Sequence, residues 1–305
     1  MGFFFDVVGL GLNAVDFITV VDRYPPPGGK CEIKSFRVLP GGQVATAMIC
    51  VKNLGCNGVK YLGKVGDDYT GKISYDSLKE SGIDISGVKI VKNCTNQFAN
   101  IVIDSKSGER TIMWKRDERL SIKIEDYSVD EVCSGKILHL DGHDTETAAF
   151  FAKKARERKI LVTLDIDRVY EGVDALLENV DYIITSEGFP VNYFGSGPFE
   201  KALIELKKKF KNAFVAATGG DKGVYYVTPH FKVKRIPAFK IMCVDSTGAG
   251  DAFHGGFIYG LLKGWDVERN LLFSNGVAAL NCLKYGARGN LLSERQVWEF
   301  INKYI

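Results

Sequence analysis

The chain has 305 residues, 46% hydrophobic and 25% charged, with a net charge of +3. That composition is an ordinary globular one, long enough for a large core, and the mild basic balance carries little information; Lys207-Lys208-Lys209 reads as a solvated helix face rather than a nucleic-acid stripe. Seven cysteines, odd in number and never spaced Cys-x-x-Cys, argue against a disulfide framework or a zinc site.

A strand is expected over 5–10. Residues 13–38 read as two strands around the turn Tyr24-Pro25-Pro26-Pro27-Gly28-Gly29, and a helix follows over 43–54. Strand 59–65 and helix 69–82 come next. Residues 97–104 and 110–115 read as a hairpin turning at Ser105-Lys106-Ser107-Gly108-Glu109. Beyond it, strands 136–140, 160–165, 181–185, 213–218 and 224–228 alternate with helices 145–158 and 198–211. Helices 250–263, 267–284 and 293–303 close the chain. This rhythm predicts a doubly wound, mostly parallel α/β sheet flanked by helices, in a single domain over 1–305. The segments at about 13–38 and 97–116 lack helices, so they are expected to pair into a small sheet that acts as a lid over the carboxyl ends of the main strands.

No apolar run is long enough to span a bilayer. The charge-free Met-Gly-Phe-Phe-Phe start does not read as a signal peptide, and Met1-Gly2 lacks the position-6 hydroxyl of a myristoylation signal. A cytoplasmic protein without membrane or nucleic-acid partners is the expectation.

The most informative stretch is Val244-Asp245-Ser246-Thr247-Gly248-Ala249-Gly250-Asp251-Ala252-Phe253. Small residues opening a helix let the N–H groups of Gly248, Ala249 and Gly250 point at one spot. The helix terminus adds roughly half a positive charge there. Asp251 is expected to stay ionised beside it. An anion cradle next to a carboxylate suits phosphoryl transfer to an alcohol, the carboxylate accepting the hydroxyl proton. The competing meaning of such an Asp is a helix cap. Phe253, Phe257 and Leu261 recur at spacing four and are expected to pack in the core.

Two other classes compete. Gly9-x-Gly11-x-x-Ala14 after a strand mimics a dinucleotide fingerprint of a Rossmann oxidoreductase, but that needs a helix from Gly11, and 14–21 is rich in β-branched residues. A non-catalytic sugar- or nucleotide-binding module is the other alternative, against which Asp251 stands.

Further segments join the Asp245–Asp251 stretch: Gly9 to Asp16, Gly41-Gly42, Gly63 to Gly71, Thr218 to Gly223, Asn275 and Gly286-Ala287. Together, in this order, they resemble the ribokinase-like, phosphofructokinase-B family of carbohydrate kinases. The resemblance implies ATP-dependent, magnesium-requiring phosphorylation of a sugar hydroxyl. Asp251 would be the base, and Gly248, Ala249 and Gly250 the anion hole. Asn13, Asp16, Gly41, Gly42, Thr46, Asn100 and Asp141 would hold the acceptor. Ser186, Thr218, Gly220, Gly223 and Asn275 would line the nucleotide site. Asp245 and Thr247 would offer oxygens to a monovalent cation such as K+ where a member uses one. The lid would also carry a homodimer contact. There are two departures: Thr46 stands where many members have Asn, and Phe189 where a glutamate helps to organise magnesium and phosphate. Glu187 is one candidate substitute, in the second shell of Mg2+, and water is another.

Overall fold

The computed structural model describes residues 3–106 and 110–304. Met1-Gly2 and positions 107–109 of the expected hairpin turn lie outside the described residues. The strands are β1 (Phe5–Leu10), β2 (Ala14–Val21), β3 (Ile33–Gly41), β4 (Val59–Gly66), β5 (Val88–Val91), β6 (Phe98–Asp104), β7 (Arg110–Lys115), β8 (Gly135–Asp141), β9 (Leu161–Ile166), β10 (Tyr182–Ser186), β11 (Phe214–Thr218), β12 (Val224–Val227) and β13 (Val233–Ile236). The helices are α1 (Gln43–Asn53), α2 (Tyr69–Glu80), α3 (Val129–Val132), α4 (Thr145–Glu157), α5 (Val173–Leu177), α6 (Gly188–Phe194), α7 (Phe199–Lys209), α8 (Ala249–Leu262), α9 (Val267–Asn281) and α10 (Glu294–Ile301).

The larger sheet has nine strands in the order β13-β12-β11-β10-β9-β8-β1-β4-β5. Every pairing from β11 to β5 is parallel; β12 pairs antiparallel with both β11 and β13, so among these strands it alone runs the other way. Its central strands are apolar runs because helices cover both faces. One core, with Leu138, Leu140, Phe151, Val162, Leu164 and Leu203, lies on one side; another, with Met48, Tyr61, Ile258, Phe273 and Val297, lies on the other. The expected α/β architecture is therefore present, and Ala14–Val21, where a dinucleotide fold would need a helix, is a strand.

The smaller sheet has the order β3-β2-β6-β7, with β2 and β6 parallel and the outer pairs antiparallel. Its two faces differ. Ile18, Val20, Ala99, Ile101 and Ile103 form an apolar cluster with Leu39 and Tyr285 against the body. Phe17 packs with Phe36 and Phe98 on the other face.

Asp68 stitches this sheet to the larger one. It is the N-cap of α2, where its Oδ1 accepts from Gly71 N at 2.8 Å and from Asn96 N, at the entry to β6, at 3.2 Å. Asp68→Ala removes the cap and leaves the Asn96 N–H without this partner. We expect a loss of about 1–2 kcal/mol in urea unfolding; an unchanged midpoint would remove Asp68 from this role.

Candidate active site

The parallel strands end at one edge of the sheet. Leu10 is level with Leu62 and Leu140, Asp141 with Asp165, and Ser186 with Thr218. Helix α8 begins there. Gly248, its N-cap, has φ +72°, and a Cβ would meet Ala287 Cα at 2.4 Å, so the turn accepts no side chain. At Gly250 a Cβ would meet nothing within 4 Å, which leaves open space beside the helix terminus. The cradle differs from expectation in one donor. Ala249 N gives its hydrogen to Ser246 O at 3.2 Å, whereas Gly248, Gly250 and Asp251 N–H groups have no partner among the described residues.

Asp245 pins the turn from below. Its Oδ1 accepts from Thr247 N at 2.9 Å and its Oδ2 from Gly286 N at 2.8 Å. Thr247 Oγ1 and Asn281 Oδ1 are buried without hydrogen-bond partners among the described residues, and Asn281 Nδ2 donates to Thr247 O at 3.1 Å.

Asp251 also departs from expectation. Burial pushes its carboxyl well above the ordinary carboxylate value, and Asp165 and Asp16 push it the same way; Arg288 opposes them. The helix terminus does not outweigh this. Asp16, on β2, is buried, and a Cβ on Gly41 would sit 2.5 Å from its Oδ2. Burial pushes Asp16 up to about 7, Arg288 pulls it down, and Asp245 adds to the rise.

Arg288 was not foreseen: nothing in a lone arginine after Gly286-Ala287 marks it. Its Nε donates to Thr46 Oγ1 at 3.2 Å, one terminal nitrogen to Ser77 Oγ at 2.7 Å and the other to Gly41 O at 2.7 Å. Burial lowers the guanidinium to about 10, and Tyr61, Asp16 and Asp251 counter that. Thr46 thus serves the arginine, and Gly42, with φ +96°, lies against Asn13. Arg110, also unforeseen, reaches from β7 to donate to Ser246 Oγ.

Three expected acceptor contacts are engaged elsewhere. Asn13 donates to Tyr61 Oη at 3.0 Å and to Lys64 O at 2.7 Å, and accepts from Ser74 Oγ at 2.8 Å, so its amide is committed to the fold. Asp141 accepts from Leu12 N at 2.6 Å and His143 N at 3.0 Å and ties β8 to the loop after β1. Asn100 is level with Phe17, on the face of the small sheet opposite Asp16 and Ala99; alternation along the strand takes it away from the cleft.

On the other flank, Ser186 and Thr218 sit side by side, and Gly220 and Gly223 form the turn before β12. Asn275 donates to Ile236 O and Pro237 O at 3.1 and 3.2 Å and braces that flank. Glu187 is held by Lys222, at 2.7 Å from its Oε1 and 3.0 Å from its Oε2. Phe189 is wholly buried and stacks with Tyr193. Arg116, near the end of β7, is bound to both Asp144 oxygens at 3.1 and 2.6 Å.

A family model described as pfkB family carbohydrate kinase matches residues 5–294. The ATP-dependent ribose-1-phosphate kinase of Halopiger xanaduensis is 29% identical over 277 residues, covering 88% of each chain. A solved Agrobacterium tumefaciens chain, described provisionally as a ribokinase, superposes with a TM-score of 0.90 at 26% identity, covering 98% of each chain. The Arabidopsis thaliana ribokinase complexed with ribose and ATP shares the fold, with a TM-score of 0.78 at 22% identity over 97% of this chain and 98% of that one. The chain belongs to the pfkB family of carbohydrate kinases.

Asp16 offers a direct check on the electrostatics. The folded carboxyl keeps its proton to about pH 7, the ordinary one only to 3.8, so stability falls as pH rises through that window. Asp16→Asn has no charge to bury. In ligand-free thermal melts its advantage over wild type should be larger at pH 8 than at pH 5; equal margins would contradict the burial of a charge at this position.

Proposed function

Starting from its membership of the pfkB family, we propose that this protein transfers the γ-phosphoryl group of ATP to a hydroxyl of a small sugar or sugar derivative. The observation that carries this reading is Asp251 at the first turn of α8, with open space at Gly250 and free N–H groups beside it. The acceptor lies between Asp16 and Asp251, its hydroxyls held by Asp16 and the Gly41-Gly42 backbone. Asp251 takes the proton from the attacking hydroxyl, and the Gly248–Gly250 turn stabilises charge on the moving group. A carboxyl raised above its ordinary value is a stronger base than a surface aspartate. The nucleotide lies over Ser186, Thr218 and the Gly220–Gly223 turn, with Asn275 at its far end.

Magnesium would accompany the triphosphate. Among the described residues no group of three acidic, His or Cys side chains gathers to cage an ion, so phosphate oxygens and water would supply most ligands, with Glu187 outside them. The orphaned Thr247 Oγ1, with Asp245 shaping its loop, fits a monovalent cation such as K+, which would supply positive charge behind the anion hole. The small sheet acts as the lid. Its Arg110 contact to Ser246 supports this, and closure excludes water so that the sugar and not water is phosphorylated. A cytoplasmic location is part of the same proposal; among the described residues no helix is long and apolar enough to cross a membrane.

A second copy of the chain is the proposed partner of the outer face of the lid, where Phe17, Phe36 and Phe98 pack together and Phe36 and Met113 are 57% and 53% exposed. Light scattering should give a dimer mass, and Phe36→Asp should lower it to that of one chain; a monomeric wild type would remove the contact.

The catalytic reading is tested by ADP release over a panel of sugars, sugar phosphates and nucleosides, with and without potassium. With the best acceptor, Asp251→Asn should keep the fold and lose at least about 100-fold in kcat. Wild-type turnover in that variant would sink the base assignment.

A further inference from the structure

Neither Arg288 nor the Thr46 hydroxyl takes part in the transfer as proposed, yet both are engaged at the acceptor side of the cleft. Arg288 follows Ala287, and Ala287 lies between two glycines of the site: a Cβ on Gly248 would meet its Cα at 2.4 Å, and one on Gly41 its Cβ at 3.5 Å. From there the guanidinium binds three segments. Thr46 of α1, Ser77 of α2 and the carbonyl of Gly41 at the end of β3 each take one N–H. Thr46 is wholly buried, so its hydroxyl serves the arginine and is out of reach of an acceptor.

The acids around the cleft differ in what holds them. Asp165 has His254, whose Nε2 is 3.2 Å from its Oδ1. Asp141 and Asp245 accept from backbone N–H groups. The carboxyls of Asp16, which is 7% exposed, and of Asp251 have neither a hydrogen bond nor an ion pair among the described residues. Asp245 repels Asp16, and Asp165 and Asp167 repel Asp251; Arg288 is the cation that faces both. Gly41 joins the arginine to Asp16 directly, for its carbonyl is 2.7 Å from the guanidinium and its Cβ position 2.5 Å from Asp16 Oδ2.

We propose that Arg288, held by Thr46, is a positioning residue for the acceptor: it fixes the Gly41 carbonyl and supplies the counter-charge of Asp16, so that loop and carboxylate meet the sugar hydroxyls in one arrangement. The inference rests on the reading of Asp16 and the Gly41-Gly42 backbone as the groups that hold the acceptor. A carbonyl bonded to a guanidinium is held about twice as strongly as by a neutral donor. That matters at Gly41, because the next residue, Gly42, has φ +96° and no side chain to keep the turn in place. Two helices hold the fork through Thr46 and Ser77, so its plane is fixed on both sides. The pairing also gives Thr46 its reason: an arginine only donates, and a hydroxyl accepts.

The test measures KM for the acceptor and for ATP by ADP release, with the best acceptor, in wild type, Asp16→Asn, Arg288→Gln, Thr46→Val and the Thr46→Val/Arg288→Gln double variant. Arg288→Gln should raise KM for the acceptor at least about 10-fold and keep KM for ATP within about twofold. The acidic limb of its kcat/KM profile should move to higher pH, because the cation that lowers both Asp16 and Asp251 is gone. Thr46→Val keeps the charge and removes one anchor of the fork, so it should raise KM for the acceptor in the wild-type background and add nothing in Arg288→Gln. It also carries the test should Arg288→Gln melt early. An acceptor KM that stays at the wild-type value in folded Arg288→Gln or in Thr46→Val overturns the inference, as does an unmoved limb in folded Arg288→Gln. A purely structural arginine would lower the melting temperature and leave the acceptor KM and the limb unchanged. Asp16→Asn separates the two readings: an unchanged acceptor KM there removes the acceptor site itself, and this inference with it, whereas a rise there without one in Arg288→Gln removes the inference alone.

Discussion

The cleft is organised by repulsion among carboxylates held in low dielectric. Asp16, Asp165 and Asp251 come from two sheets and a helix, and each is buried enough that water screens it weakly. Such a group is tolerated only when counter-charges and donors are placed among its members. Here those are one guanidinium, one imidazole and a set of backbone N–H groups. Arg288 is fastened by three hydrogen bonds to Thr46, Ser77 and the Gly41 carbonyl, which keeps its charge from collapsing onto any single carboxylate. Asp245 has both of its oxygens accepting from backbone N–H groups.

The same crowding explains why the small residues lie where they do. Gly41 is packed against Asp16, and Gly248 against Ala287. A side chain at Gly41 would displace the Asp16 carboxylate, and one at Gly248 would displace the Ala287 backbone. The small sheet is fastened on one side by its apolar cluster with Tyr285, and on another by the Asp68 cap that binds the Asn96 N–H. Its position is thus set by packing at its base, and Arg110 on β7 donates to the Ser246 hydroxyl.

Much of this was legible in the sequence, for identifiable reasons. Central parallel strands such as Leu161–Ile166 are mostly apolar, and α8 follows a turn of small residues, so both patterns stand out above composition. The four-residue strands β5 and β13 were missed: Val-Lys-Ile-Val and Val-Lys-Arg-Ile are too short and too charged to announce a strand, and both form at sheet edges where only one neighbour is needed. Among site residues, local turn chemistry revealed Asp251 and the glycines. Side-chain partners were not legible, because Asn13, Asp141 and Arg288 find theirs 51, 129 and 247 positions away. Asn100 was misplaced by one step of strand alternation, which reverses the face. Asp165 had a signal that was overlooked: an acid inside the apolar run Leu-Val-Thr-Leu-Asp-Ile must find a buried partner.

Phe189 shows how a departure from a family pattern can be absorbed. Its ring is wholly buried and stacks with Tyr193, so the position belongs to the core beneath the nucleotide flank rather than to its surface. A glutamate in that place would be a buried carboxylate in a chain that already crowds several into one cleft. The nearest surface acid, Glu187, is neutralised by Lys222 on the turn before β12. Both features lower the negative charge on the flank where, in the proposed reading, a triphosphate would lie, while the acids remain concentrated where its acceptor would lie. The separation follows the chemistry: an incoming polyanion needs donors and low negative potential, and a hydroxyl about to lose its proton needs a base.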